Sequence, residues 1–235
     1  MHSSHLLLFP DPPDLSDLTG LCLSGLCGLL ADADQMVADA WLALDNVERT
    51  RFAPIMGAFN PTDGNAVEHV RRMWEKYPGM WRGIGGVTCR DDDLTTLLQE
   101  QETPVINHRG MKAIYEFCIE KDINCLVHHN SDRPTNNGDG TWDYVWEVEQ
   151  VLQAFPALKL IWCHSGVSRR TSKPNHFDML DRMLSKYSNL TAHISWVSPF
   201  HSLGPFDVAI DSHPLTFRTL RRAGCVGGLH CRWRG

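Results

Sequence analysis

Leu160-Ile161-Trp162-Cys163-His164-Ser165-Gly166-Val167-Ser168-Arg169-Arg170 carries the strongest structural signal in this 235-residue chain. An apolar run closes on a histidine and then on a Ser-Gly turn. So short and continuous a run reads as a strand covered on both faces, from Leu158 to Cys163. Cys125-Leu126-Val127-His128-His129-Asn130 ends the same way, closing a strand that begins at Ile123. Between them Val145, Val148, Val151 and Leu152 recur at helical spacing, which predicts a helix over Trp142 to Phe155.

The rhythm extends in both directions. Helices are predicted over Ala33 to Arg49, Asn65 to Tyr77, Gly110 to Lys121 and Phe177 to Tyr187. Strands are predicted over Phe52 to Phe59, Trp81 to Val87 and Leu190 to Trp196. Strands alternating with helices imply βα units and a parallel sheet. An open doubly wound sheet and a (β/α)8 barrel both fit, and periodicity does not separate them. No GxGxxG or GxxxxGK[ST] turn follows a strand, which weakens a nucleotide-binding sheet. The loops Thr88 to His108 and Asn130 to Thr141 both follow strands, where a barrel carries its catalytic rim.

Residues 1–30 show little patterning, and the tail from Gly224 to Gly235 does not read as a packed element. The apolar run Leu21 to Leu30 is too short to span a bilayer. No basic region precedes Leu6 to Phe9, so a signal peptide is not expected and the cytoplasm is the default location. The net charge of −6 gives no footprint for nucleic acid or an anionic membrane. The eight cysteines include no Cys-x-x-Cys pair. Cys118, Cys125 and Cys163 lie in apolar segments, as free thiols packed as core residues do.

His128 and His164 are the candidate functional residues. A histidine at the C-terminal end of a parallel strand projects into the mouth of the sheet. Two such rings on neighbouring strands can share one divalent cation through neutral imidazole nitrogens. His129 faces the other way by the two-residue period of a strand. Ser165 lacks the Gly-x-Ser-x-Gly elbow of a serine hydrolase. Arg169 and Arg170 could clamp a substrate carboxylate.

Trp81-Arg82-Gly83-Ile84-Gly85, Tyr115-Glu116-Phe117, Leu126-Val127-His128 and the Leu160 to Arg170 segment together resemble the amidohydrolase-related family of TIM-barrel metal-dependent hydrolases. That family also holds decarboxylases of the aminocarboxymuconate-semialdehyde type. The resemblance covers about residues 33–197. It implies one α/β domain over 1–235, a TIM-type (β/α)8 barrel, incomplete or irregular at its two ends. It implies a divalent metal ion, zinc being expected, and hydrolysis of a small-molecule amide, ester or lactone by a metal-activated water. The alternatives are a decarboxylase on the same scaffold, or an inactive barrel that only binds.

Position by position, His128 matches the family's metal ligand after the fifth strand and His164 the histidine after the sixth. His5 falls at the first histidine of the family's first-strand His-x-His pair, and Leu7 at the second. The family has Gly-Ile-Gly-Glu at its fourth strand, where this chain has Gly83-Ile84-Gly85-Gly86. No residue matches the eighth-strand aspartate clearly; Asp207 and Asp211, with His213 nearby, are the available groups. A barrel left incomplete would expose sheet edges, which favours a homo-oligomer.

Overall fold

The apolar runs become parallel strands in the computed structural model, which describes residues 24–26, 32–90, 103–133, 143–167 and 175–193. The strands are β1 (Ser24–Leu26), β2 (Phe52–Met56), β3 (Gly83–Thr88), β4 (Asn124–His128), β5 (Lys159–Cys163) and β6 (Leu190–Ala192). The helices between them are α1 (Ala33–Ala43), α2 (Asn46–Arg49), α3 (Ala66–Lys76), α4 (Met111–Glu120), α5 (Val145–Ala154) and α6 (His176–Lys186).

The sheet order is β1-β2-β3-β4-β5-β6, every neighbouring pair parallel. This order answers the question periodicity left open. A doubly wound sheet reverses its strand order at a switch point. Here each strand adds beside the last, as in a singly wound (β/α) barrel. Among the described residues no pairing joins β6 to β1, so they form an incomplete barrel wall.

Helix burial follows the apolar stripes. Ala66, Val70 and Met73 of α3 are buried, as are Ile114, Phe117 and Cys118 of α4 and Val148, Val151 and Leu152 of α5. Trp74 meets Phe117 edge to face, 5.7 Å between centroids, and so joins α3 to α4. Buried aromatics with polar tips find backbone partners. Trp81 Nε1 donates to the Met73 carbonyl at 2.9 Å, Tyr115 Oη to that of Ile106 at 2.6 Å, and Trp162 Nε1 to that of His129 at 2.6 Å. Cys89, Cys118, Cys125 and Cys163 are buried free thiols.

Three expectations are corrected. The segment before residue 30 contains β1, within an apolar run weighed only as a membrane span. The helix expected over Ala33 to Arg49 is two helices. Asp45 stops the first by capping the second: its carboxylate accepts from Val47 N and Glu48 N, and Glu48 reaches back to Asp45 N. The strand expected to run to Trp196 is assigned only to Ala192, and residues 194–235 lie outside the described set.

Candidate metal centre

The site is built at the C-terminal ends of β4, β5 and β6. His128 is the last residue of β4, and the β4–β5 register pairs it with Cys163. In an unbroken strand His164, one residue on, would face away from the His128 row. Its backbone leaves the strand instead. His164 has φ 53, Ser165 φ 55 and Gly166 φ 74, three successive residues in the left-handed region. The His164 ring thereby lies 4.9 Å from the His128 ring, centroid to centroid.

Left-handed conformations cost a non-glycine residue about 1–2 kcal/mol and persist where the surroundings over-determine them. The surroundings here do so. Ser131, just after β4, sends its backbone N and its Oγ to the Gly166 carbonyl, at 2.8 and 2.9 Å. His176, at the start of α6, is 3.0 Å through Nε2 from the Ser165 carbonyl. Burial pushes the His176 pKa down to about 4, so the ring is neutral and Nε2–H donates. Ser165 Oγ donates to the His193 carbonyl at 3.1 Å. Gly166 has no room for a side chain, since a Cβ would come within 2.3 Å of the Trp162 ring.

His193 follows β6 and is a member of the site that strand-end reading missed. Its ring lies 5.7 Å from that of His164. Leu190-Thr191-Ala192-His193 shows the same strand-then-histidine pattern as the other two, but the expected strand ran through it to Trp196. The β5–β6 register pairs Trp162 with Ala192, so one step on His193 stands opposite Cys163. Thr88, His128, Cys163 and His193 thus follow one row across four strands.

His128 is held neutral. Burial pushes its pKa down to about 3, and the neighbouring His164 and His193 rings push the same way. A neutral imidazole is the form that offers a lone pair to a metal. The spacing also suits a shared ion: Zn–N bonds of about 2.0–2.1 Å in tetrahedral geometry hold two imidazole centroids about 5 Å apart. The pair therefore fits as two ligands of one cation. Among the described residues, no three His, Cys, Asp or Glu side chains are arranged to hold an ion as they stand.

The residues around the mouth sort themselves by partner. His129 turns away from the pair, as expected, and Nε2 lies 3.1 Å from Glu147 Oε2. Burial lowers the His129 pKa against the opposing pull of Glu147. Arg90, after β3, clamps the same carboxylate through Nε and Nη2 at 2.7–3.0 Å and lies over the Tyr144 ring at 3.9 Å. Burial alone would raise the Glu147 pKa, but His129 and Arg90 hold it below the usual range. Asp34 is buried and committed to Gly57 N, Ala58 N and His69 Nε2. Gly86, where the resemblance looks for glutamate, has φ 71 and sits at a register shift between Gly85 and Val87. It is the extra residue of a bulge. Ser165 is buried, and its hydroxyl is spent on the His193 carbonyl, not on a histidine nitrogen. His5, Arg169, Arg170, Asp207, Asp211 and His213 lie outside the described residues.

No family model matches this sequence, and no curated protein matches it. Solved structures similar to it are TIM-barrel proteins. One is an uncharacterised TIM-barrel protein from Bordetella bronchiseptica, at 14% identity and TM-score 0.43, covering 69% of this chain and 48% of that one. A second is 4-oxalomesaconate hydratase from Rhodopseudomonas palustris, at 16% and 0.43, covering 70% and 49%. A third is dihydroorotase from Campylobacter jejuni, at 20% and 0.34, covering 62% and 35%. The chain spans about half the length of the first two. No helix among the described residues is long and apolar enough to cross a membrane.

Proposed function

We propose that this chain holds a divalent metal ion, zinc in the first instance, at the mouth of its barrel. It would use that ion to hydrolyse a small-molecule amide, ester or lactone. The observation that carries this reading is the 4.9 Å spacing of the His128 and His164 rings at the ends of adjacent strands. A divalent ion bound there lowers the pKa of a bound water to about 7 and polarises a carbonyl.

The chain's own residues have separable tasks. His128 offers a neutral nitrogen because burial keeps it unprotonated. His164 is turned toward it by the left-handed backbone, and Ser131 and His176 hold that turn from two further elements. Trp162 and Cys163, the last residues of β5 before His164, are both buried.

A second reading, a barrel that binds a ligand without turnover, draws on the bulge at Gly86, which leaves that position without a carboxylate. Metal analysis of the purified chain tests the first reading. About one tightly bound zinc or manganese per chain is expected, falling to none in His164→Ala. Metal-free wild type that takes up none on zinc addition would defeat it.

A further inference from the structure

We propose that the cleft between α4 and α5 is a binding site for a small phosphate monoester with an aromatic body. The cleft lies in the helix layer and shares no residue with the strand-end histidines, so the inference does not rest on the metal-binding reading above.

Three observations carry it. The first is the floor. The cleft has a volume of about 360 Å³, within the roughly 300–1,000 Å³ of small-molecule sites. The Tyr115 and Phe155 rings both line it, 5.2 Å apart and tilted by 58°. A flat ring placed against them gains apolar burial and aromatic contact. The Tyr115 hydroxyl donates to the Ile106 carbonyl at 2.6 Å. Burial also holds its pKa well above the ordinary phenol value. The floor therefore adds no negative charge.

The second is charge. Arg109 and Lys112 line the cleft, and no lining residue carries a carboxylate. Among the described residues no hydrogen bond or ion pair engages the Arg109 side chain. Lys112 Nζ lies 3.7 Å from Glu116 Oε1, in a pair whose two side chains are more than half exposed. Such a surface pair contributes little and yields to a stronger anion. A phosphate monoester carries a charge of about −1.5 to −2 on three acceptor oxygens. Two cations match that group better than they match a singly charged carboxylate, and the guanidinium fork suits phosphate oxygens.

The third is the supply of neutral donors. His108 Nδ1 accepts from Gly110 N at 3.1 Å, which places the ring proton on Nε2 as a donor. Asn107 Nδ2 donates to Gln150 Oε1 at 2.7 Å. That bond ties the loop before α4 to α5 and leaves the Gln150 amide N–H groups as donors. His108, Asn107 and Gln150 all line the same cleft.

Nuclear magnetic resonance tests this without a metal. Phenyl phosphate, inorganic phosphate and phenol are each titrated into the full 15N-labelled chain. Phenyl phosphate should saturate at one per chain, near or below about 1 mM for a ligand of this size, and should move the Asn107 and Gln150 side-chain amide signals. Inorganic phosphate lacks the ring and phenol lacks the charge, so each should bind about 10-fold more weakly or worse. Arg109→Ala should weaken phenyl phosphate by about 10-fold or more, as loss of a charged hydrogen bond does. Ala154 lines the cleft and is exposed, so a larger side chain there fills it from the solvent side. Ala154→Trp should abolish phenyl phosphate binding and leave inorganic phosphate binding as it was. Far-UV circular dichroism checks that both variants fold. Equal affinity for phenyl phosphate and inorganic phosphate would reduce the cleft to surface charge and overturn the proposal. Equal affinity for phenol would overturn its anionic half. Unchanged phenyl phosphate binding in folded Ala154→Trp places the ligand elsewhere. If that variant does not fold, Arg109→Ala decides, and unchanged affinity there counts against the site. Wild type that shows no saturable phenyl phosphate binding removes it.

Discussion

His128 is the register partner of Cys163, yet the ring it meets is that of His164, one residue further along. The backbone leaves the strand there through the left-handed run His164-Ser165-Gly166, and Gly166 is its tightest point. With φ 74 and a prospective Cβ 2.3 Å from the Trp162 indole, Gly166 has neither the conformation nor the space for a side chain. Gly166→Ala should cost about 2 kcal/mol or more, adding left-handed strain to overpacking. It should also weaken metal binding. Denaturant unfolding followed by circular dichroism gives the first number and zinc titration the second. A variant as stable as wild type would mean the turn relaxes easily, and that it does not set the His164 ring.

Glu147 is the anchor on the far side of the same wall. It is buried, clamped by Arg90 and approached by His129. Removing one partner of a buried pair strands the other, which costs about 3–5 kcal/mol. Glu147→Ala should lose stability on that scale. Arg90→Ala should lose a similar amount, and the double variant clearly less than the sum, because both remove one interaction. Simple additivity in urea unfolding would show that the two residues act separately.

Much of this was legible in the sequence, for a physical reason that also explains what was not. Buried parallel strands are apolar throughout, so β4 and β5 announced themselves with His128 and His164 at their ends. β1 is three residues long and has no alternation to display, so it passed unnoticed. The order of strands is a long-range property that no local pattern encodes. His193 escaped because Ile194 and Trp196 continue an apolar run past the point where the assigned strand stops. Gly86 was visible as a departure from the resemblance. That it is a bulge with a left-handed backbone depends on the pairing of β3 with β4, which a single strand's sequence does not reveal.

The neutral His176 gives stability a pH dependence with a definite sign. Its folded pKa is pushed down to about 4 by burial, against an ordinary value of 6.5. Between those values the unfolded chain binds a proton that the folded chain does not. Its contribution is therefore complete above about pH 6.5 and declines as pH falls toward 4, by up to about 1.4 kcal/mol per pH unit. His128, pushed lower still, adds loss in the same direction. Unfolding midpoints measured from pH 7 to pH 4 should fall steadily. His176→Gln, which keeps a donor near the Ser165 carbonyl but does not titrate, should show a slope shallower by about one proton. An identical slope in that variant would place the pH dependence elsewhere.

Gly86→Glu is the substitution that the family resemblance invites, since it writes the expected carboxylate into β3. The local backbone argues that it will not rebuild a ligand. At φ 71 a glutamate pays about 1–2 kcal/mol of left-handed strain. Gly86 is also the extra residue of the bulge, whereas Thr88 is the one paired with His128. A side chain at Gly86 therefore stands outside the row that carries His128 and His193. The variant should be less stable than wild type by about 1–2 kcal/mol and should gain neither metal stoichiometry nor affinity. Thr88→Glu places its carboxylate within the row and is the informative comparison: of the two, only it should alter cobalt affinity or the visible spectrum of the bound ion. A stable Gly86→Glu protein with tighter cobalt binding would show that β3 can take the family's geometry, and that the bulge follows from glycine and not from the barrel.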